Sequence, residues 1–190
     1  MASFVLASKS PRRRELLASA GLVPIVRAPA IDETPWPDEA PVAHVLRVAT
    51  AKACALADEP RPVLAADTVV AIDAEILGKP ASADDARRML ARLSNRSHVV
   101  HTAVALRTFD STRGARIATD VVSTSVRFRV LSEDDIDRYV ATGEPFDKAG
   151  AYGIQGEGGA LVADVRGSYT NVVGLPLEET LALLRMAGLR

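Results

Sequence analysis

Residues 3–22, SFVLASKSPRRRELLASAGL, decide the class of fold. The apolar run at 3–7 reads as a short strand. Ser10 followed by Pro11 reads as an N-cap and first helical position, which predicts a helix to Gly21. A strand feeding a helix through a tight polar turn is the layout of a phosphate site in an α/β protein. The same stretch poses a physical problem. The first turn of a helix carries unpaired N–H groups and the positive end of the dipole, so Arg12, Arg13 and Arg14 crowd a place where cations are disfavoured unless an anion sits among them. Ser8 and Ser10 add hydroxyls beside them, and together these groups have the donors to hold a phosphate chain. The stretch is not a Walker loop, because G-x-x-x-x-G-K-[ST] is absent.

Working outward, a second helix is predicted over 41–57, followed by a near-continuous apolar strand, RPVLAADTVVAID (61–73), interrupted at Asp67 and Thr68. Ser82 with Asp85 resembles a capping box ahead of a helix whose Ala86, Met89, Leu90 and Leu93 share one apolar face. HVVHTAVALRTF (98–109) and VVSTSVRFRVL (121–131) read as neighbouring strands, and Ser132 with Asp135 opens another capped helix. Residues 149–159 are glycine-rich; beyond them comes strand or loop, then a helix starting near Pro176. With no internal repeat or linker, the expectation is one mixed α/β domain over 1–190.

Composition removes several function classes. A net charge of -1, from 23 basic and 24 acidic residues, gives no global field for nucleic acid or an anionic membrane, so any anion site must be local. Aromatic residues at 4% offer no stacking platform for single-stranded nucleic acid. No apolar run reaches the ~18 residues that span a bilayer, and the opening MASFVLAS turns polar too soon for a signal peptide. The single cysteine excludes an intrachain disulfide and fits a reducing cytoplasm; its alanine-rich neighbourhood predicts Cys54 as a small core residue.

Among individual residues Asp67 carries the strongest physical signal. A carboxylate on a buried strand must be paired, hold a metal or line a cleft, because an unpaired buried charge costs several kcal/mol. Lys52 is the only charge between Arg47 and Asp58 on an alanine-rich helix, so it either snorkels or aims its ammonium into a cleft. Thr68 serves a ligand or merely suits a strand, Lys79 alone reads as a turn lysine, and Asp32 and Glu33 as loop acids. His98 and His101, three apart on a strand, point to opposite faces and do not share a zinc ion.

Several blocks then resemble one family in its order. LASKSPRRRELL (6–17), AADTVVAIDAEILGKP (65–80), LSNRSHVVHTAV (93–104), EPFDKAGAYGIQG (144–156) and GSYTNVVGLPLEE (167–179) are similar to the motifs of the Maf family of nucleotide pyrophosphatases, over nearly the whole chain. Asn95 stands where the family has glycine, and it is the next best residue for a left-handed turn. The resemblance implies a mixed, elongated and twisted sheet flanked by helices, with two lobes about a central cleft. It also implies hydrolysis of nucleoside triphosphates to monophosphate and pyrophosphate with a divalent cation. Carried over by position, it assigns Ser8, Arg12, Arg13 and Lys79 to the substrate, leaves Arg14 solvated, and makes Asp67, Glu33 and Lys52 catalytic; Thr68, beside Asp67, is taken with the substrate residues. Asp67 and Glu33 would share the metal, with adjacent Asp32 an open choice, and hard oxygen ligands favour magnesium or manganese. Asp147 and Lys148 are supporting residues. The segment around GAYGIQG resembles the subgroup acting on dTTP and UTP, where the Gln155 amide would offer a donor and an acceptor to the base. A nucleotide-binding regulator of septum formation with little turnover is the alternative the resemblance leaves. The partner expected is the nucleotide, with a homodimer open and neither nucleic acid nor membrane expected.

Overall fold

Strand β1 (Val5–Leu6) passes through a polar turn into helix α1 (Pro11–Ser19), whose N-cap Ser10 accepts a hydrogen bond from the Arg13 N–H. Gly21, at φ 76°, closes the helix and turns the chain into the short strand β2 (Ile25–Val26). Helix α2 (Pro41–Cys54) leads to the buried strand β3 (Val63–Ile72) and its hairpin partner β4 (Glu75–Leu77). Helix α3 (Ala83–Leu93) precedes two long strands, β5 (Ser97–Asp110) and β6 (Gly114–Phe128). Helix α4 (Glu133–Ala141), three 3-10 turns, strand β7 (Val162–Arg166) and helices α5 (Tyr169–Val173) and α6 (Leu177–Met186) complete the order. The computed structural model describes residues 3–110 and 114–189.

The strands form one mixed sheet in the order β2-β1-β3-β5-β6-β7, parallel from β2 to β3 and antiparallel beyond. One edge of β3 pairs with β5 from Val63 to Ala71. The other edge is divided. β1 covers Val63 and Leu64, β4 covers Val70 to Ile72, and among the described residues no strand pairs with 66–69 between them. This gap positions the site.

Packing follows the alternation of β3. Leu64 and Ala66 face a cluster built with Leu17, Leu183 and Leu184 of α1 and α6. Val70 and Ile72 point to the same side further along, where Leu90 and Leu93 of α3 and Ile136 and Tyr139 of α4 form a separate cluster. Burying each such leucine contributes about 2 kcal/mol. Val63, Ala65 and Val69 pack on the opposite face against Val45, Ala49 and Ala53 of α2. Two lobes therefore share one sheet, and the cleft lies between their helices.

Sequence and structure differ in several places, among them β6, which starts at Gly114 rather than at residue 121 and stops at Phe128. α2 stops at Cys54 rather than Ala57, and Cys54 is exposed, because it follows buried Ala53 by about 100° of helical turn and leaves the buried stripe. The box at α3 closes only from one side: Ser82 Oγ accepts from the Asp85 N–H, while Asp85 accepts from the Ala81 N–H. At α4 the box closes from both sides. Residues 169–173 are a short helix instead of strand or loop. Asn95 does adopt the left-handed turn, at φ 56°.

Candidate active site

The gap in β3's edge is the floor of a cleft of about 600 Å³. β1 runs parallel to β3 and delivers Ser8 and the start of α1 to one side of it, while antiparallel β4 returns Lys79 to the other. Alternation on β3 turns Asp67 toward α2 and Thr68 toward α1 and α6. All nine candidates, Ser8, Arg12, Arg13, Glu33, Lys52, Asp67, Thr68, Lys79 and Gln155, line this one cleft. Six of its lining side chains are cationic and three are carboxylates, which leaves a local positive field in a chain that is nearly neutral.

The three arginines of the opening stretch have three different environments. Arg14 is exposed. Arg12 is partly exposed and its Nη1 lies 3.3 Å from Asp147 Oδ2. Arg13 is buried, and donates from Nε to the Gly174 carbonyl at 2.8 Å, from Nη1 to Ser8 Oγ at 3.0 Å and from Nη2 to Thr68 Oγ1 at 3.2 Å. Burial lowers its pKa, while the fields of Asp67 and Glu33 oppose that shift. Arg13 therefore ties α1 to β3 and to the turn after α5. Removing it as Arg13→Ala strips partners from three buried or half-buried oxygens and is expected to cost about 2 kcal/mol. Arg12→Ala gives up only a surface pair worth about 1 kcal/mol or less. Ligand-free melting curves of the two variants check this: equal losses would contradict the separate roles.

Lys52 comes from the last turns of α2 with its stem buried. Its Nζ donates to Asp67 Oδ1 and to Glu33 Oε2, each at 2.8 Å. Glu33, from the loop after β2, is the acid that reaches this point; Asp32 instead accepts from the Thr34 N–H. Asp67 is 6% exposed, so its charge is compensated where a lone carboxylate would not be. Among the described residues Lys79 has no carboxylate partner.

Sequence reasoning missed what stands behind Asp67. His44 on α2 is buried, with Nε2 3.9 Å from Asp67 Oδ2 and Nδ1 2.9 Å from Glu39 Oε2. Arg47 grips Glu39 through both oxygens, at 2.6 and 2.7 Å, and holds its carboxyl down to about 2. His44 Nδ1 thus sits between the Glu39 carboxylate and the Arg47 guanidinium, whose Nη2 is 3.2 Å away. The available signal was helical spacing: His44 lies on the stripe of buried Pro41, Val45 and Val48.

Asn171 was missed as well. It is fully buried in α5, donating from Nδ2 to the Val100 carbonyl and to Thr124 Oγ1, and its backbone carbonyl accepts from the Thr102 hydroxyl. Thr102 in turn meets Thr68 Oγ1 at 2.9 Å. The expected split of the histidines is seen: His98 is buried with Nε2 2.8 Å from the Tyr152 hydroxyl, which borders the cleft, and burial pulls its pKa to about 4. His101 lies against Ser123.

On the far side of the cleft, Gln155 sits exposed in the glycine-rich loop. Among the described residues no three or more metal-ligating side chains cluster, and no helix is long and apolar enough to cross a membrane.

Comparison with known proteins places this geometry in a family. A dTTP/UTP pyrophosphatase of Anaeromyxobacter dehalogenans (strain 2CP-1) is 57% identical over 185 residues, covering 97% of this chain and 94% of its own. One from Myxococcus xanthus (strain DK1622) is 55% identical over 189 residues, covering 98% and 93%. A solved HAM1 protein from Coxiella burnetii aligns over 98% of this chain and 100% of its own at 21% identity and a TM-score of 0.49, too loose a likeness to bear on the site. The sequence pattern described as Maf-like protein matches residues 3–187, and this chain belongs to that family.

Proposed function

We propose that the cleft hydrolyses dTTP and UTP, with modified pyrimidine nucleotides as further candidates, to the nucleoside monophosphate and pyrophosphate. The observation that carries this reading is the single ammonium of Lys52 bridging Asp67 and Glu33 at the gap in β3, with cations converging on it from both lobes. The names of the relatives add the substrate. A nucleoside triphosphate brings about four negative charges, which Arg12, Lys52 and Lys79 would meet directly while Arg13 keeps Ser8 and Thr68 in place. Arg12 would exchange Asp147 for phosphate, a small cost because that pair is partly exposed. Asp67 would accept the proton of a water whose oxygen attacks phosphorus, and pyrophosphate departs as the phosphoanhydride bond breaks.

The donor set fits a magnesium or manganese ion. Asp67 and Glu33 are hard-oxygen donors whose Oδ1 and Oε2 converge on the Lys52 ammonium, so such an ion would take their other oxygens, with phosphate and water oxygens as the remaining ligands, as is usual for magnesium. Such an ion supplies neutralisation of phosphate charge and polarisation of the reacting phosphorus. The setting we propose is the cytoplasm, where nucleoside triphosphates are held.

At the other end of the cleft the Gln155 amide would read the base edge. Pyrophosphate release measured on dTTP, UTP, CTP and GTP with magnesium tests this. Wild-type kcat/KM is expected to favour dTTP and UTP, and Gln155→Ala to lower it on dTTP about tenfold, the worth of one hydrogen bond. Equal turnover of GTP and CTP would contradict the reading.

A further inference from the structure

Gln155 is exposed, and among the described residues its amide makes no hydrogen bond. An amide reverses its donor and acceptor by a half-turn, so by itself it fits a cytosine edge as well as a uracil edge. Discrimination therefore depends on what fixes the loop beneath it. That loop is wrapped around one carboxylate. Glu144, at the start of a 3-10 turn after α4, accepts from the Tyr139 hydroxyl at Oε1 (2.9 Å), from the Glu157 N–H at Oε2 (2.9 Å) and, more loosely, from the Gly158 N–H (3.4 Å). Tyr139 in turn accepts from the Gly153 N–H at 3.0 Å.

The glycines of the loop fit tightly around this anchor. A Cβ at Gly156 would fall onto the Glu144 carboxylate, one at Gly153 onto Lys148 at 2.5 Å, and one at Gly158 onto the Tyr139 hydroxyl at 2.5 Å. The backbone on both sides of Gln155 is thus held within contact of Glu144 and Tyr139. Neither side chain lines the cleft.

We propose that Glu144, seconded by Tyr139, is a positioning residue for base selectivity: it fixes the loop that aims Gln155 while taking no part in binding phosphate. The inference rests on the substrate reading above. In Glu144→Gln one carboxylate oxygen becomes an NH2 group facing donors, so one anchor is lost without loss of volume. Tyr139→Phe removes the second contact and is the variant that carries the test where Glu144→Gln does not fold.

The experiment measures kcat/KM for dTTP and CTP, together with inhibition by inorganic tripolyphosphate, which has no base. Glu144→Gln is expected to reduce the dTTP-to-CTP preference about tenfold, and Tyr139→Phe to reduce it less, as for a loosened recognition contact. Tripolyphosphate inhibition should stay as in the wild type. If tripolyphosphate inhibition weakens in parallel, the anchor supports the whole cleft and the proposal is overturned. Unchanged preference in the variants, with a selective wild type, overturns it alone. A wild type without base preference overturns the substrate reading and this inference together.

Discussion

Lys52→Met is expected to lose both stability and turnover. The methionine keeps the buried stem but leaves Asp67, only 6% exposed, without the ammonium 2.8 Å from its Oδ1. Breaking one side of a buried ion pair costs about 3 kcal/mol, because the remaining charge stays desolvated and unpaired. For a chain of this size that corresponds to a fall in Tm of roughly 6–12 °C. Glu33 is half-exposed and can turn to water, so it adds little to the loss. Turnover should fall roughly a hundredfold or more through the missing charge at the phosphates. Thermal melts and steady-state rates on one preparation check both parts; a variant as stable as the wild type would show that the field of Arg13 already compensates Asp67.

Asp67→Asn separates chemistry from fold. Asparagine is nearly isosteric and its Oδ1 still accepts from Lys52, so the network behind it, from His44 to Glu39 and Arg47, has no reason to move. What disappears is the site for a proton. General-base catalysis contributes about 10²–10⁴-fold, and the rate should fall by that order, with a smaller loss of stability than in Lys52→Met because Lys52 keeps Glu33 2.8 Å away.

Much of this architecture is legible locally. Pro11 after Ser10, the box of Ser132 and Asp135, and the apolar run of β3 each state their element within a few residues. The interruption at Asp67 and Thr68 correctly marked a special place on a buried strand. The position of the gap was not legible, because it depends on β1 and β4 sharing an edge of β3 at different registers. Nor was the support of Asp67: His44 meets both Asp67 and Glu39 only once α2 packs against β3. The short helix α5 escaped because it is held from outside, by Asn171 bonding to β5 and β6. Cys54 misled because alanines surround it in sequence on both faces of the helix. The nine candidate residues meet at one cleft, while the work each does there rests on the proposed chemistry.

The most direct test pairs binding with turnover. A non-hydrolysable dTTP analogue is titrated, with magnesium, into the wild type and Asp67→Asn, and pyrophosphate release from dTTP is followed in both. The expected result is that Asp67→Asn still binds the analogue, more weakly because one of the two carboxylates beside the ion is neutralised, and that only the wild type releases pyrophosphate. An Asp67→Asn protein that is folded, binds the analogue and still releases pyrophosphate at the wild-type rate would contradict it.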